Sequence, residues 1–262
     1  MQLNLEVCRT IATQHGLPLQ YVVKEFHVFE VLGQMTAMIA KSEKTVFKGG
    51  TALNKIYLGG MQRFSEDLDF DLEVAGVEEA RRWCMGIAGR LEGYSIGEFR
   101  IVGDTVQFYC SFDSVIGGKD HIRVDVAPKR IITSRPLAIK AAESAFTQRS
   151  VTGFHVYAIE DLVARKLHAL QTRREGKDVY DVSNALPLCG AMRDAIAKML
   201  ESEGRDESPA EFIRKTTDSL KAADAVKLRN LTNPFIPAGN RPKDWLELKN
   251  DLVLRLERLA ED

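Results

Sequence analysis

From Asp67 to Glu73 the chain reads Asp-Leu-Asp-Phe-Asp-Leu-Glu, a strict two-residue alternation. Successive side chains of a strand point to opposite faces, so Leu68, Phe70 and Leu72 are expected on one face and Asp67, Asp69 and Asp71 on the other. Aspartate is among the poorest strand formers, and three on one face run against local propensity. Between Arg63 and Glu79 the acidic residues Glu66, Asp67, Asp69, Asp71, Glu73, Glu78 and Glu79 stand against one basic residue, Arg63. A solvated acidic face is the plain alternative. A site built on the carboxylates explains better why a strand tolerates them. Two carboxylates about 4–5 Å apart repel by a few kcal/mol, a cost that a divalent cation between them removes. Hard oxygen ligands with open coordination positions suit Mg²⁺.

The surrounding pattern places this strand in a mixed α/β, α+β-type chain. Helical spacing of Val22, Val23, Phe26, Phe29 and Leu32 predicts a helix from Pro18 to Lys41. The β-prone run Thr45-Val46-Phe47 meets Gly49-Gly50-Thr51, after which helical spacing resumes until Gly59-Gly60, a strand, glycine turn and helix in a βαβ-like unit. A helix is expected from Val77 to Leu91, then strands at 95–101, 105–112 and 121–126, and a short strand at 154–157. Beyond it the pattern is helical, with breaks at Leu186-Pro187, Glu203-Gly204 and 233–242. A boundary near 150–158 divides an α/β portion, 1–157, from a helical portion, 158–262.

Composition removes several classes. With 36 Lys+Arg against 37 Asp+Glu in 262 residues, net charge -1, the chain is no polycation that coats nucleic acid, and 45% hydrophobic residues are too many for disorder. Partners must be selected by local sites. Cys8, Cys84, Cys110 and Cys189 are scattered without metal spacing and read as buried thiols. No apolar run approaches the roughly 18 residues that span a bilayer, and the first residues have no signal-peptide pattern, so a cytoplasmic protein is expected.

Three further groups join the acidic strand. Asp125 alternates with Ile122, Val124 and Val126 and is a candidate third carboxylate, or a general base; three carboxylates can hold two metals about 3.5–4 Å apart. Gly49-Gly50 offers bare amides and a helix N-terminus to a phosphate, with the Thr51 hydroxyl beside them, although a lone Gly-Gly is more often just a turn. On the helix starting near Ile159, Lys166 falls in the middle of the apolar stripe formed by Ile159, Leu162, Val163, Leu167 and Leu170, with Arg173 close to it. Cations on an inward face must snorkel, pair with acid or reach a polar cleft. Asp178 and Asp181 follow at three-residue spacing, suited to pairing with these cations or to receiving a base or ribose. Lys166 and Arg173 are read as phosphate contacts.

Together FKGGTALNKIYLGG, RFSEDLDFDL, HIRVDVAP and EDLVARKLHALQTRREGKDVYDV resemble the AbiEii/AbiGii nucleotidyltransferase family, toxins of type IV toxin–antitoxin systems and of phage abortive infection that include the MenT-type toxins. The resemblance spans about residues 45 to 185. It implies a polymerase-β-like nucleotidyltransferase core with a mostly helical C-terminal portion that completes the active site. It also implies Mg²⁺ and an NTP substrate, with transfer onto an RNA acceptor, in some members the tRNA 3′ end, and hence inhibited translation; a cognate antitoxin is the implied partner. By position, Gly49, Gly50 and Thr51 match the first motif, Ser65, Asp67 and Asp69 the second, Asp125 the third, and Lys166, Arg173, Asp178 and Asp181 the fourth. The resemblance thus implies Asp67, Asp69 and Asp125 as metal ligands, these three with Lys166 as catalytic, and the remaining motif residues as nucleotide-binding. Many relatives carry Arg-Asp where this chain has Lys177-Asp178. Asp71 has no role that the resemblance supplies.

Two other functional readings remain open at this point. The acceptor is a small molecule or a protein hydroxyl instead of RNA, or the chain is a non-catalytic partner-binding module with a degenerate site. Residues 211–258 hold ten Lys+Arg and seven Asp+Glu, a net of +3, with Lys227, Arg229, Arg241, Lys243 and Lys249 as candidate RNA contacts; a solvated helical face explains them equally well.

Overall fold

A computed structural model describes residues 3–39, 42 and 44–261. The described residues form two compact units, the first made of Met1–Ile131 and Ala138–Val156, the second of Ile132–Leu137 and Tyr157–Asp262.

The first unit opens with α1 (Leu5–His15), whose N-terminal amides are capped by the Asn4 side chain and whose end is turned by Gly16 at φ 61°. The helix expected from Pro18 is α2 (Leu19–Ile39); its expected end at Lys41 lies outside the described residues. It is buried along most of its length, from Val22 to Ile39, and packs on the sheet, as a helix with apolar residues on nearly every side must. Then follow β1 (Thr45–Lys48), α3 (Gly49–Tyr57), β2 (Leu68–Leu72), α4 (Val77–Ala88), β3 (Ser95–Ile96), β4 (Arg100–Val102), β5 (Thr105–Asp113) and β6 (Lys119–Pro128). Four two-residue strands complete the unit: β7 (Ala138–Ile139), β8 (Ala142–Glu143), β9 (Ser150–Val151) and β10 (His155–Val156). The strand expected at 95–101 is split into two pieces, and β7 to β9 have too few residues to show any alternation.

The main sheet runs β3-β5-β6-β2-β1-β10-β7, with β4 on β5, and β8 pairs with β9 separately. Its register explains the alternation of residues 67–73. Phe47, Phe70, Val126 and Val106 form one cross-strand row, and Leu68, Val124 and Phe108 the next; all seven are fully buried. Each such side chain removed from water contributes about 1.5–3 kcal/mol, which commits this face to the core. The polar positions between them must then share the opposite face.

The βαβ-like unit expected of β1, α3 and β2 does not form, because β1 and β2 pair antiparallel. The chain leaving α3 passes through a short 3-10 turn, Gly59–Met61, and an extended stretch, and so returns to the C-terminal end of β1. The parallel neighbours are β2 with β6 and β1 with β10. This return sets Asp69 opposite Lys48, at the start of α3.

Beneath α3 lies a buried ion pair, Lys55 with Glu25, both side chains fully enclosed. Ser144 Oγ donates to the same Glu25 oxygen at 2.6 Å. Burial pulls the Lys55 ammonium down from its ordinary value while Glu25 opposes that shift.

In the second unit the helical pattern resolves into α5 (Ile159–Arg173), α6 (Gly176–Ala185), α7 (Arg193–Ser202), α8 (Pro209–Lys221), α9 (Ala225–Thr232) and α10 (Trp245–Glu261). α8 begins with a capping box between Ser208 and Glu211, and Asp224 caps α9. The predicted breaks fall between these helices. Gly176 lets α6 approach α9 closely, since a Cβ there would come 2.6 Å from the Leu228 carbonyl oxygen. Among the described residues no helix is long and apolar enough to cross a membrane. The four cysteines are free, three of them buried, and burial raises the thiols of Cys84, Cys110 and Cys189 to about 12.

Candidate active site

The polar face of the first unit's sheet is a row in register: Lys48 on β1, Asp69 on β2, Asp125 on β6 and Gln107 on β5. Asp67, just before β2, adjoins Arg123 on β6, whose Nη2 donates to Asp67 Oδ2 at 2.6 Å. Arg123 Nε also stands 3.3 Å from Asp125 Oδ2. Asp67, Asp69 and Asp125 therefore come together on adjacent strands, with one guanidinium ion-paired to two of them. Asp71, also on this strand, is fully buried and accepts a hydrogen bond from Lys48 Nζ, which gives it a structural role.

Asp125 bears the consequences of this crowding. Its carboxyl is pushed up from 3.8 to about 6, first by burial and then by the charge of Asp69, with Asp67 adding and Arg123 and Lys48 opposing. Its Oδ1 is buried without a hydrogen-bond partner. A buried unsatisfied carboxylate oxygen beside two other carboxylates is the environment that a hard cation relieves.

Gly49 and Gly50 are the first two residues of α3 itself, and the helix start has no side-chain cap. Gly49 has φ +77°, and an added Cβ would lie 2.7 Å from Asp69 Cγ. Only glycine fits, because the chain must turn left-handed against the Asp69 carboxylate. Thr51 and Ser65 hydroxyls lie 2.8 Å apart, and Thr51 also donates to the Asp67 carbonyl. These two buried hydroxyls pin the start of α3 to the segment leading into β2.

In the second unit Lys166 is buried on α5, with Nζ 2.8 Å from Asp178 Oδ1 and 3.0 Å from Asp181 Oδ2. Arg173 donates through Nε and Nη2 to both oxygens of Asp178, at 2.7 and 2.9 Å, while its side chain stays 50% exposed. Burial raises the Asp178 carboxyl, but Lys166 and Arg173 outweigh it and hold the group at about 2. Of the three ways a cation can sit on an inward face, Lys166 uses pairing with acid. Lys177 stacks over the Phe235 ring at 3.6 Å to the centroid.

Two candidate RNA contacts are committed internally. Lys249 is buried and donates to the carbonyls of Lys221 and Ala223 at the end of α8, and Arg241 Nε donates to the carbonyls of Asn233 and Ile236. Lys48, Arg123 and the Lys55–Glu25 pair are contributions that emerge only with the structure. The face on which Arg123 lies was detectable, since it is shared with Asp125 on the same strand; Lys48 and Lys55 carried no signal in the sequence.

Among the described residues no three His, Cys, Asp or Glu side chains stand in a metal-holding arrangement. Arg123 is ion-paired to both Asp67 and Asp125 instead. The residues nonetheless fit a divalent cation: hard oxygen donors on neighbouring strands, an unmet Asp125 oxygen, and mutual repulsion recorded in the Asp125 shift.

Comparison with known proteins decides the family. A sequence profile described as "Nucleotidyl transferase AbiEii toxin, Type IV TA system" matches residues 31–257. The chain belongs to that family. Among solved structures, the AbiEii fold is shared with MenT4, a nucleotidyltransferase toxin from Mycobacterium tuberculosis H37Rv, at TM-score 0.71 and 18% identity, over 100% of this chain and 90% of that one. A putative nucleotidyltransferase from H. pylori matches at TM-score 0.52 and 19% identity, over 94% and 95% of the two chains. Comparison with curated proteins gives no match. The chain is thus an AbiEii-family nucleotidyltransferase, with the mixed α/β fold and helical C-terminal portion expected of one.

Proposed function

We propose that this AbiEii-family enzyme transfers a nucleotide from an NTP to an RNA acceptor, the 3′ end of tRNA, and thereby inhibits translation under the control of a cognate antitoxin. A role in phage defence follows from the same activity. The observation that carries the reading is the in-register pair Asp69 and Asp125 on parallel strands, with Asp67 beside them and Gly49 closing on Asp69.

Asp67, Asp69 and Asp125 would hold Mg²⁺, which when bound neutralises charge on the phosphates and activates the attacking oxygen. The protein's own groups do the rest. The N-terminus of α3, which has no side-chain cap and carries the positive end of the helix dipole, orients a phosphate. Thr51 and Ser65 keep that end fixed against the approach to β2. The acceptor hydroxyl oxygen attacks the α-phosphorus in line, the bond to the β-phosphate breaks, and pyrophosphate leaves. Asp125, which would give Oδ1 to the metal, helps to activate the hydroxyl, and its other oxygen, Oδ2, receives the proton. In the second unit Arg173, half exposed, offers a phosphate contact, while Lys166, Asp178 and Asp181 hold it in place.

Incubation with each labelled NTP and total RNA, beside Asp69→Ala, tests the proposal. Label is expected at RNA 3′ ends with the native protein and absent with the variant. Equal labelling by both removes the assigned site, and label on protein or small molecules alone moves the acceptor to another class.

A further inference from the structure

We propose that Arg123 is an internal counter-cation that holds Asp67 and Asp125 together until a divalent cation displaces it. The inference rests on the metal-site reading above. Arg123 lies two residues before Asp125 on β6, hence on the same face of the sheet. Its guanidinium meets Asp67 Oδ2 at 2.6 Å and stands 3.3 Å from Asp125 Oδ2. Asp67, Asp125 and Asp69 all reinforce its positive charge. These are the same carboxylates that a metal would use.

The fit of the guanidinium is incomplete. Asp125 Oδ1 remains buried without a hydrogen bond. A planar guanidinium presents donors in a fixed fork, whereas a compact divalent ion accepts oxygens from several directions. With 37% of its side chain exposed, Arg123 has a way into solvent that leaves the buried rows of the sheet untouched. Like charges exclude one another from one set of carboxylates, so Arg123 and the metal compete. Arg123 is thus a positioning residue: it keeps the carboxylates assembled in the metal-free enzyme and weakens metal binding until substrate phosphates add their own charge.

Calorimetric titration of Mn²⁺ into the nucleotide-free protein tests this, beside Arg123→Gln and Arg123→Lys, with circular dichroism confirming that each is folded. Arg123→Gln is expected to bind Mn²⁺ about tenfold more tightly than the native protein. In EDTA the same variant should unfold at lower urea than the native chain, and saturating Mn²⁺ should close that gap. Arg123→Lys, which keeps the charge and loses the fork, should fall between the two on both measurements. A folded Arg123→Gln that binds Mn²⁺ no more tightly than native, or a urea gap that Mn²⁺ leaves unchanged, overturns the proposal. If instead neither protein binds Mn²⁺, or Asp69→Asn binds it as well as native, the metal-site reading fails and takes the inference with it.

Discussion

Asp125 makes the stability of the metal-free enzyme depend on pH in a direction opposite to that of most aspartates. Its side chain is 14% exposed, and its carboxyl titrates at about 6 in the folded chain against 3.8 ordinarily, through burial first and the Asp69 charge second. Between those values the folded protein retains a proton that the unfolded chain has released. Stability therefore falls as pH rises through this window, and the full penalty applies above about pH 6. At 1.36 kcal/mol per pKa unit the displacement amounts to about 3 kcal/mol. Asp125→Asn is nearly isosteric and cannot titrate. Urea unfolding of both proteins in EDTA, at steps from pH 4 to pH 7.5, isolates the carboxylate cluster, because groups remote from it titrate alike in the two. The native protein is expected to lose about 2.5 kcal/mol relative to the variant across the series, the remainder of the displacement falling below pH 4. The change in the difference is the measurement; a constant offset from the lost Arg123 contact does not affect it. Parallel profiles would refute the reasoning, since they would mean that Asp125 is not held in a buried cluster of carboxylates.

Three further substitutions follow from the same geometry. Gly49→Ala places a side chain at φ +77° and 2.7 Å from Asp69 Cγ, so it should cost about 1–2 kcal/mol in backbone strain alone and lower nucleotide transfer by more than tenfold; thermal melting and an NTP transfer assay check both. Asp178→Asn leaves Lys166 buried without its closest carboxylate and should cost about 3–5 kcal/mol by urea unfolding. Because Asp178 is held at about 2, its contribution is complete above pH 3.8 and is lost as pH falls toward 2, so the deficit of the variant should shrink in acid. Gly176→Ala forces a Cβ to 2.6 Å from the Leu228 carbonyl and should destabilise by about 1–3 kcal/mol, while Asn184→Ala on the same helix, which removes only a hydrogen bond to Tyr180, should cost less.

The alternation of residues 67–73 was readable because a strand of period two needs no distant information: Leu68, Phe70 and Leu72 had to share a face, and the aspartates the other. The same logic marked Asp125 and the helical periodicity of α2 and α5. Four motifs in order were enough for the family. Local pattern does not encode strand order, because pairing depends on residues far apart in the chain. That β2 lies between β1 and β6, antiparallel to one and parallel to the other, is a tertiary result, and it alone brings Asp69 to Asp125 and to Gly49.

Charge shows the division most clearly. Local pattern is enough to line one face of a strand with carboxylates and to put Lys166 on an inward helical stripe. Their partners come from long-range packing: Arg123 for Asp67 and Asp125, Lys48 for Asp71, and Asp178 with Asp181 for Lys166. Side-chain direction is a short-range property of the backbone, whereas ion pairing is set by which elements burial forces together.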